Sequence, residues 1–295
     1  MPENSPTKRQ VFVARLSSTL VLWALVTAGV VLKIPWLFFV TIGGLSFLAL
    51  IECLKMFGVP DDRRYEVWTI LVSLAYLATT FHHCQTHEPP LRAQFAHLDI
   101  FFLCLLLFGA FTLTLTQRLQ GERTLKRLVG SFFSFFYVIV LFSFLTRVLY
   151  LPAENGVYYT VYLVAVTKFT DMGAYVVGSL IGKHKMIPHI SPGKTWEGFG
   201  GAILGAYVAS VLIYFPFQAK LSLFNITHIL VIPIIIGLAT VVGDLAESVL
   251  KRSLNVKDSG HMLPGIGGAL DLIDSLCFTA PILYLYMNHV IGLAS

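Results

Sequence analysis

Long uncharged runs separated by short polar segments organise this chain. Apolar stretches of about 18 residues or more recur along it, long enough to cross a bilayer core as helices. They fall near 16–32, 35–51, 67–82, 98–116, 130–149, 157–181, 198–215, 226–243 and 270–292, and so predict nine membrane-spanning helices. The expected fold class is therefore all-α, a polytopic integral membrane protein. Residues 1–15 are polar and basic, and no convincing small-residue cleavage site accompanies the first run, so it reads as a retained first helix.

Composition excludes a soluble fold, since 56% of the residues are apolar and only 13% are charged. The formal net charge of +5 would fit nucleic acid, but the basic residues sit between apolar runs. Anionic membrane lipid is the nearer partner there, and nucleic acid is set aside. With the N-terminus in the cytoplasm, the inside segments hold Lys8, Arg9, Arg15, Lys55, Arg63, Arg64, Arg118, Arg123, Lys126, Arg127, Lys183, Lys185, Lys194, Lys251, Arg252 and Lys257. Only Lys33, Arg92, Arg147 and Lys220 fall outside, which predicts an N-in, C-out protein of a bacterial inner membrane. Segments 182–197 and 244–269 then share one cytoplasmic face. The chain reads as a single membrane domain over 1–295, with N-terminal helices 1–156 that carry no clear motif and a catalytic half 157–295. Cys53, Cys84, Cys104 and Cys277 lie far apart and read as small core residues.

Charge concentrates where lipid-crossing helices should not carry it. Lys168 and Asp171 interrupt the sixth run, at a cost of about 2.5 to 3.5 kcal/mol each near a helix centre. They are spaced to pair privately at i and i+3, or Asp171 faces a polar cavity shared with later motifs. In GKHKMIPHISPGKTWEGFGGA, Pro188 and Pro192 break helix, Ser191 or Thr195 can cap the next one, and Lys194 is placed to hold an anion. From 244 onward, DLAESVLKRSLNVKDSGHMLPGIGGALDLIDS supplies Asp244, Ser248, Lys251 and Arg252 along one side of a continued helix. Lys257, Asp258 and a turn containing Gly267 and Gly268 follow. Asp271 and Asp274 then share a face of the ninth helix. Glycine turns before a helix suit phosphate, and paired carboxylates suit a divalent cation that bridges phosphate oxygens. Glu247 reads as a solvated residue. The chemistry points to a membrane-embedded, cytoplasm-facing site for Mg²⁺ and a polyphosphate.

This last stretch resembles the signature of the phosphatidate cytidylyltransferases, or CDP-diacylglycerol synthases. Ser248, Lys251, Arg252, Lys257, Asp258, Pro264, Gly267, Gly268, Asp271 and Asp274 match it in residue and spacing. DMGAYVVGSLIGKHKMIPHISPGKTWEG resembles that family's upstream segments, so the likeness covers roughly residues 168–275. Two positions depart from the pattern: Ile266 stands where the family has His, and Leu272 where it has Arg. The resemblance implies transfer of CMP from CTP to phosphatidate, with Asp244, Asp271 and Asp274 on the metal. Lys194, Lys251, Arg252 and Lys257 would neutralise phosphate, Ser191 and Ser248 would donate hydrogen bonds, and Asp171 would add polarity. It also implies a homodimer, with room for a monovalent cation beside Mg²⁺. Three other readings share some features: a CTP-dependent lipid kinase or cytidylyl transfer to a different lipid phosphate, a transporter or channel, and an inactive scaffold.

Overall fold

The computed structural model describes residues 35–86, 92–150, 155–256, 259–260 and 267–292. Among these, eight helices are long and apolar enough to cross a membrane. They are α1 (Pro35–Met56), α2 (Arg63–Thr86), α3 (Arg92–Leu115), α4 (Glu122–Leu149), α5 (Gly156–Ile181), α6 (Trp196–Phe217), α7 (Ile226–Ser253) and α8 (Ala269–His289). Each coincides with one of the predicted spans from the second to the ninth, and the first, 16–32, lies outside the described residues. At about 1.5 Å per residue, even the shortest reaches across a bilayer core.

The chain is an integral membrane protein, and its packing shows why apolar runs alone build it. Large apolar side chains such as Phe108, Leu115, Leu204 and Leu212 point outward, where lipid is as apolar as a protein core. Aromatic bulk fills the interior, with Tyr65, Tyr76, Tyr159, Tyr162, Phe135 and Phe142 buried. All four cysteines are free, as their spacing implied, but only Cys53 and Cys277 are buried core residues; Cys84 is half-buried and Cys104 is exposed on the outward side of α3.

Two features differ from the apolar pattern. Helix α4 widens into a π turn over Phe135–Val140, a deviation that hydropathy cannot register. Between α5 and α6 the chain forms an antiparallel hairpin, β1 (Lys185–Ile187) with β2 (Ser191–Thr195). It is the sheet found among the described residues, and it leaves the class all-α. Glu197 fastens it to α6 by accepting the backbone N–H groups of Lys183 (3.1 Å) and His184 (3.2 Å) and contacting the His184 ring at 2.6 Å. Thr195 caps α6, accepting Gly198 N–H at 3.1 Å.

The N-terminal helices are stapled by a polar bridge. Arg147, 3% exposed on α4, donates to both carboxylate oxygens of Asp99 on α3 and to the Tyr76 hydroxyl on α2. Its guanidinium also lies 4.6 Å and 4.2 Å from the ring centroids of Phe95 and Phe144. Removing one partner would strand a buried charge, so Asp99→Asn is expected to lose about 3 to 5 kcal/mol of stability. Unfolding of the detergent-solubilised protein measures it.

Candidate active site

Two charged clusters meet where α7 crosses α8. Helix α7 continues beyond its apolar run, as the sequence reading required, and carries Asp244, Glu247, Ser248 and Lys251 at helical spacing. Gly243 permits the crossing: a Cβ there would stand 2.9 Å from Ser275 Cα and 3.2 Å from the Asp274 carbonyl oxygen on α8. The polar faces of the two helices are thereby brought together.

The first cluster joins four elements. Ser275 Oγ lies 2.8 Å from Asp244 Oδ1 and 3.0 Å from Asp274 Oδ1, so one hydroxyl sits between two carboxylates. Lys194, on β2, approaches Asp244 Oδ2 at 3.3 Å. Asp171, on α5, stands within electrostatic reach of Asp244 and Asp274. Lys168 reaches Asp171 at 3.5 Å and donates to the Leu272 carbonyl at 3.0 Å. The private pair therefore exists, yet Asp171 Oδ1 is buried without a hydrogen-bond partner in the structure. Asp171, Ser191, Lys194 and Asp244 line a cavity of about 380 Å³, together with the rings of Tyr175 and Phe199. Both sequence alternatives for Asp171 hold at once.

The second cluster lies one helical turn further along. Lys251 Nζ contacts Asp271 Oδ1 at 2.5 Å and Glu247 Oε1 at 3.0 Å. Asp271 Oδ2 accepts the Gly268 N–H at 3.1 Å, and Glu52 on α1 accepts the Leu270 N–H at 2.9 Å. Gly267 adopts φ +115°, which favours glycine.

Other residues expected at the site have partners within the chain. The Gly268 N–H, expected to face phosphate, is taken by Asp271. Ser248 donates to the Asp244 carbonyl of its own helix at 2.9 Å. Arg252 donates to the Ile190 carbonyl at 3.5 Å and pins the hairpin to α7. Glu247, read as solvated, is 6% exposed and ion-paired, because its i,i+4 partner Lys251 turns inward with it. Asp271 joins the Lys251 cluster instead of sharing Ser275 with Asp244 and Asp274. Lys257, Asp258, Pro264 and Ile266 lie outside the described residues. Glu52 was missed, although an isolated carboxylate in an apolar run is itself a signal.

Fold and site together define an α-helical integral membrane protein whose lysines and carboxylates converge from separate helices and the β hairpin, an arrangement suited to phosphate chemistry. The sequence model described as the cytidylyltransferase family matches residues 13–290, and the chain belongs to that family. It is similar to the phosphatidate cytidylyltransferase of Bacillus subtilis (strain 168), 34% identical over 260 residues that cover 88% of this chain and 95% of that one. The uncharacterized protein YnbB of Escherichia coli (strain K12) is 32% identical over 83% of this chain and 77% of its own. The phosphatidate cytidylyltransferase of Staphylococcus haemolyticus (strain JCSC1435) is 42% identical over 45% of this chain and 50% of its own.

Proposed function

We propose that this protein transfers CMP from CTP to phosphatidate, yielding CDP-diacylglycerol and pyrophosphate. The observation that carries this reading is the convergence of Lys194, Asp244, Asp274 and Ser275, from three elements, beside a cavity lined by Asp171, Ser191, Lys194 and Asp244. A phosphatidate oxygen attacks the α-phosphorus of CTP, a new P–O bond forms, and the bond to the β-phosphate oxygen breaks to release pyrophosphate. The phosphomonoester is already largely dianionic at pH 7, its second pKa being about 6, so no protein base is needed. The harder task is to bring two anions together.

Lysines answer that task. Lys194 and Lys251 are each held against carboxylates, and an incoming triphosphate exchanges those partners for phosphate oxygens. Among the described residues no three acidic, histidine or cysteine side chains form a closed metal cage. Two carboxylates with substrate phosphates are nevertheless the usual Mg²⁺ environment, and the donor set here, with the unpartnered Asp171 oxygen beside it, fits. Asp244 and Asp274 would hold the ion, with Asp271 supporting Lys251. When bound, Mg²⁺ supplies neutralisation of the triphosphate and the departing pyrophosphate. The site faces the cytoplasm of a bacterial inner membrane in this reading, supported by the Lys and Arg residues gathered on the hairpin side. A homodimer is the working assembly, on the strength of the family resemblance.

The test uses purified protein, phosphatidate, Mg²⁺ and CTP labelled at either the α- or the γ-phosphate. Label from the α-position is expected in the lipid, with loss of product on adding EDTA. Lipid labelled from the γ-position would mark a kinase instead.

A further inference from the structure

Glu52 stands on α1, in the half of the chain that carries no motif, yet its carboxylate reaches α8. It is 1% exposed, and its Oε2 accepts the Leu270 N–H at 2.9 Å. Leu270 immediately precedes Asp271 in the first turn of α8, where N–H groups have no partner within the helix. The glycine turn closes over this contact: a Cβ at Gly268 would lie 2.8 Å from Glu52 Oε2 and 3.1 Å from Asp271 Oδ2. Two carboxylates therefore bracket the start of α8, and the second of them grips Lys251.

We propose that Glu52 is a positioning residue for cytidylyl transfer, its charge holding Asp271, and through it the Lys251 ammonium, in place. This rests on the activity proposed above. Asp271 accepts the Gly268 N–H and contacts Lys251, so the first turn of α8 fixes where the Lys251 ammonium lies. Glu52 anchors that turn from α1 through the Leu270 N–H, and a charged carboxylate accepts such a bond more strongly than a neutral group. Without the charge the anchor weakens, the first turn of α8 shifts, and Lys251 loses its fixed position.

Three variants of the full chain, assayed in phosphatidate-containing vesicles, decide the matter. Glu52→Gln keeps the acceptor and the size, and Glu52→Asp keeps the charge on a shorter side chain. Glu52→Gln is expected to unfold close to the parent's temperature while kcat falls about tenfold or more, with KM for CTP little changed. Glu52→Asp is expected to retain more of kcat than Glu52→Gln. A Glu52→Gln protein with parental kcat, or one faster than Glu52→Asp, would reduce Glu52 to a helix cap and overturn the proposal. Should Glu52→Gln not fold, Gly260→Ala decides, because its Cβ would press on the Glu52 side chain. Lowered kcat then supports the proposal and parental kcat overturns it. A parent that makes no product overturns the proposed function, and this inference with it, whatever occupies position 52.

Discussion

Replacing Asp244 by asparagine is expected to lower cytidylyl transfer about 10²- to 10³-fold, the usual effect of removing one preorganised electrostatic group from a reaction centre. The fold should survive. Asparagine matches aspartate in shape, and its side-chain oxygen can still accept the Ser275 hydroxyl that now lies 2.8 Å from Asp244 Oδ1. The lost partner is Lys194, at 3.3 Å, and both side chains are partly open to solvent, so that pair contributes about 1 kcal/mol or less to stability. Chemistry depends on the charge much more. Without it, Asp274 alone faces the cation and Lys194 has no carboxylate to hold it at the cavity. Initial rates with labelled CTP, set beside a thermal unfolding curve, separate the two effects.

Lys251→Ala is expected to behave differently, abolishing product and weakening the protein together. Lys251 is the cation that contacts both Glu247, 6% exposed, and Asp271. Its removal leaves like charges facing each other in a poorly hydrated place, a loss of about 3 to 5 kcal/mol when one partner of a buried pair is deleted. A second change separates structure from function. Adding Glu247→Gln to Lys251→Ala should recover much of the stability, because one of the stranded charges is gone. It should recover no turnover, because the phosphate partner is still absent. Unfolding and rate measurements on the single and double variants check both halves of this expectation.

The membrane helices were legible because lipid demands long apolar runs, and the predicted spans from 35 onward each meet an observed helix. The extension of α7 through Lys251 was legible too, since Asp244, Ser248 and Lys251 fall on one side only if the helix continues. Other features leave little trace in local pattern. The hairpin strands are too short for alternation to register. The Asp99–Arg147 bridge joins residues 48 apart, and the Glu52–Leu270 bond joins residues 218 apart. Spacing rules cannot reach such distances. The cost of charge within a membrane helix can, and it applied to Glu52 as much as to Lys168 and Asp171. The division of the site was likewise hidden. Asp271 and Asp274 share a face of α8, but their different neighbours on α7 draw one to Lys251 and the other toward Asp244.

Carboxylates of α7 and α8 holding a divalent cation against the phosphates of CTP are the centre of this account. Manganese binding, followed by electron paramagnetic resonance in the purified parent and in Asp274→Asn, examines them without relying on turnover. The parent should bind Mn²⁺ tightly only when CTP is present, and Asp274→Asn should bind it about tenfold more weakly or worse, as when a ligating shell is disturbed. Equal Mn²⁺ binding by both proteins in the presence of CTP would contradict the account.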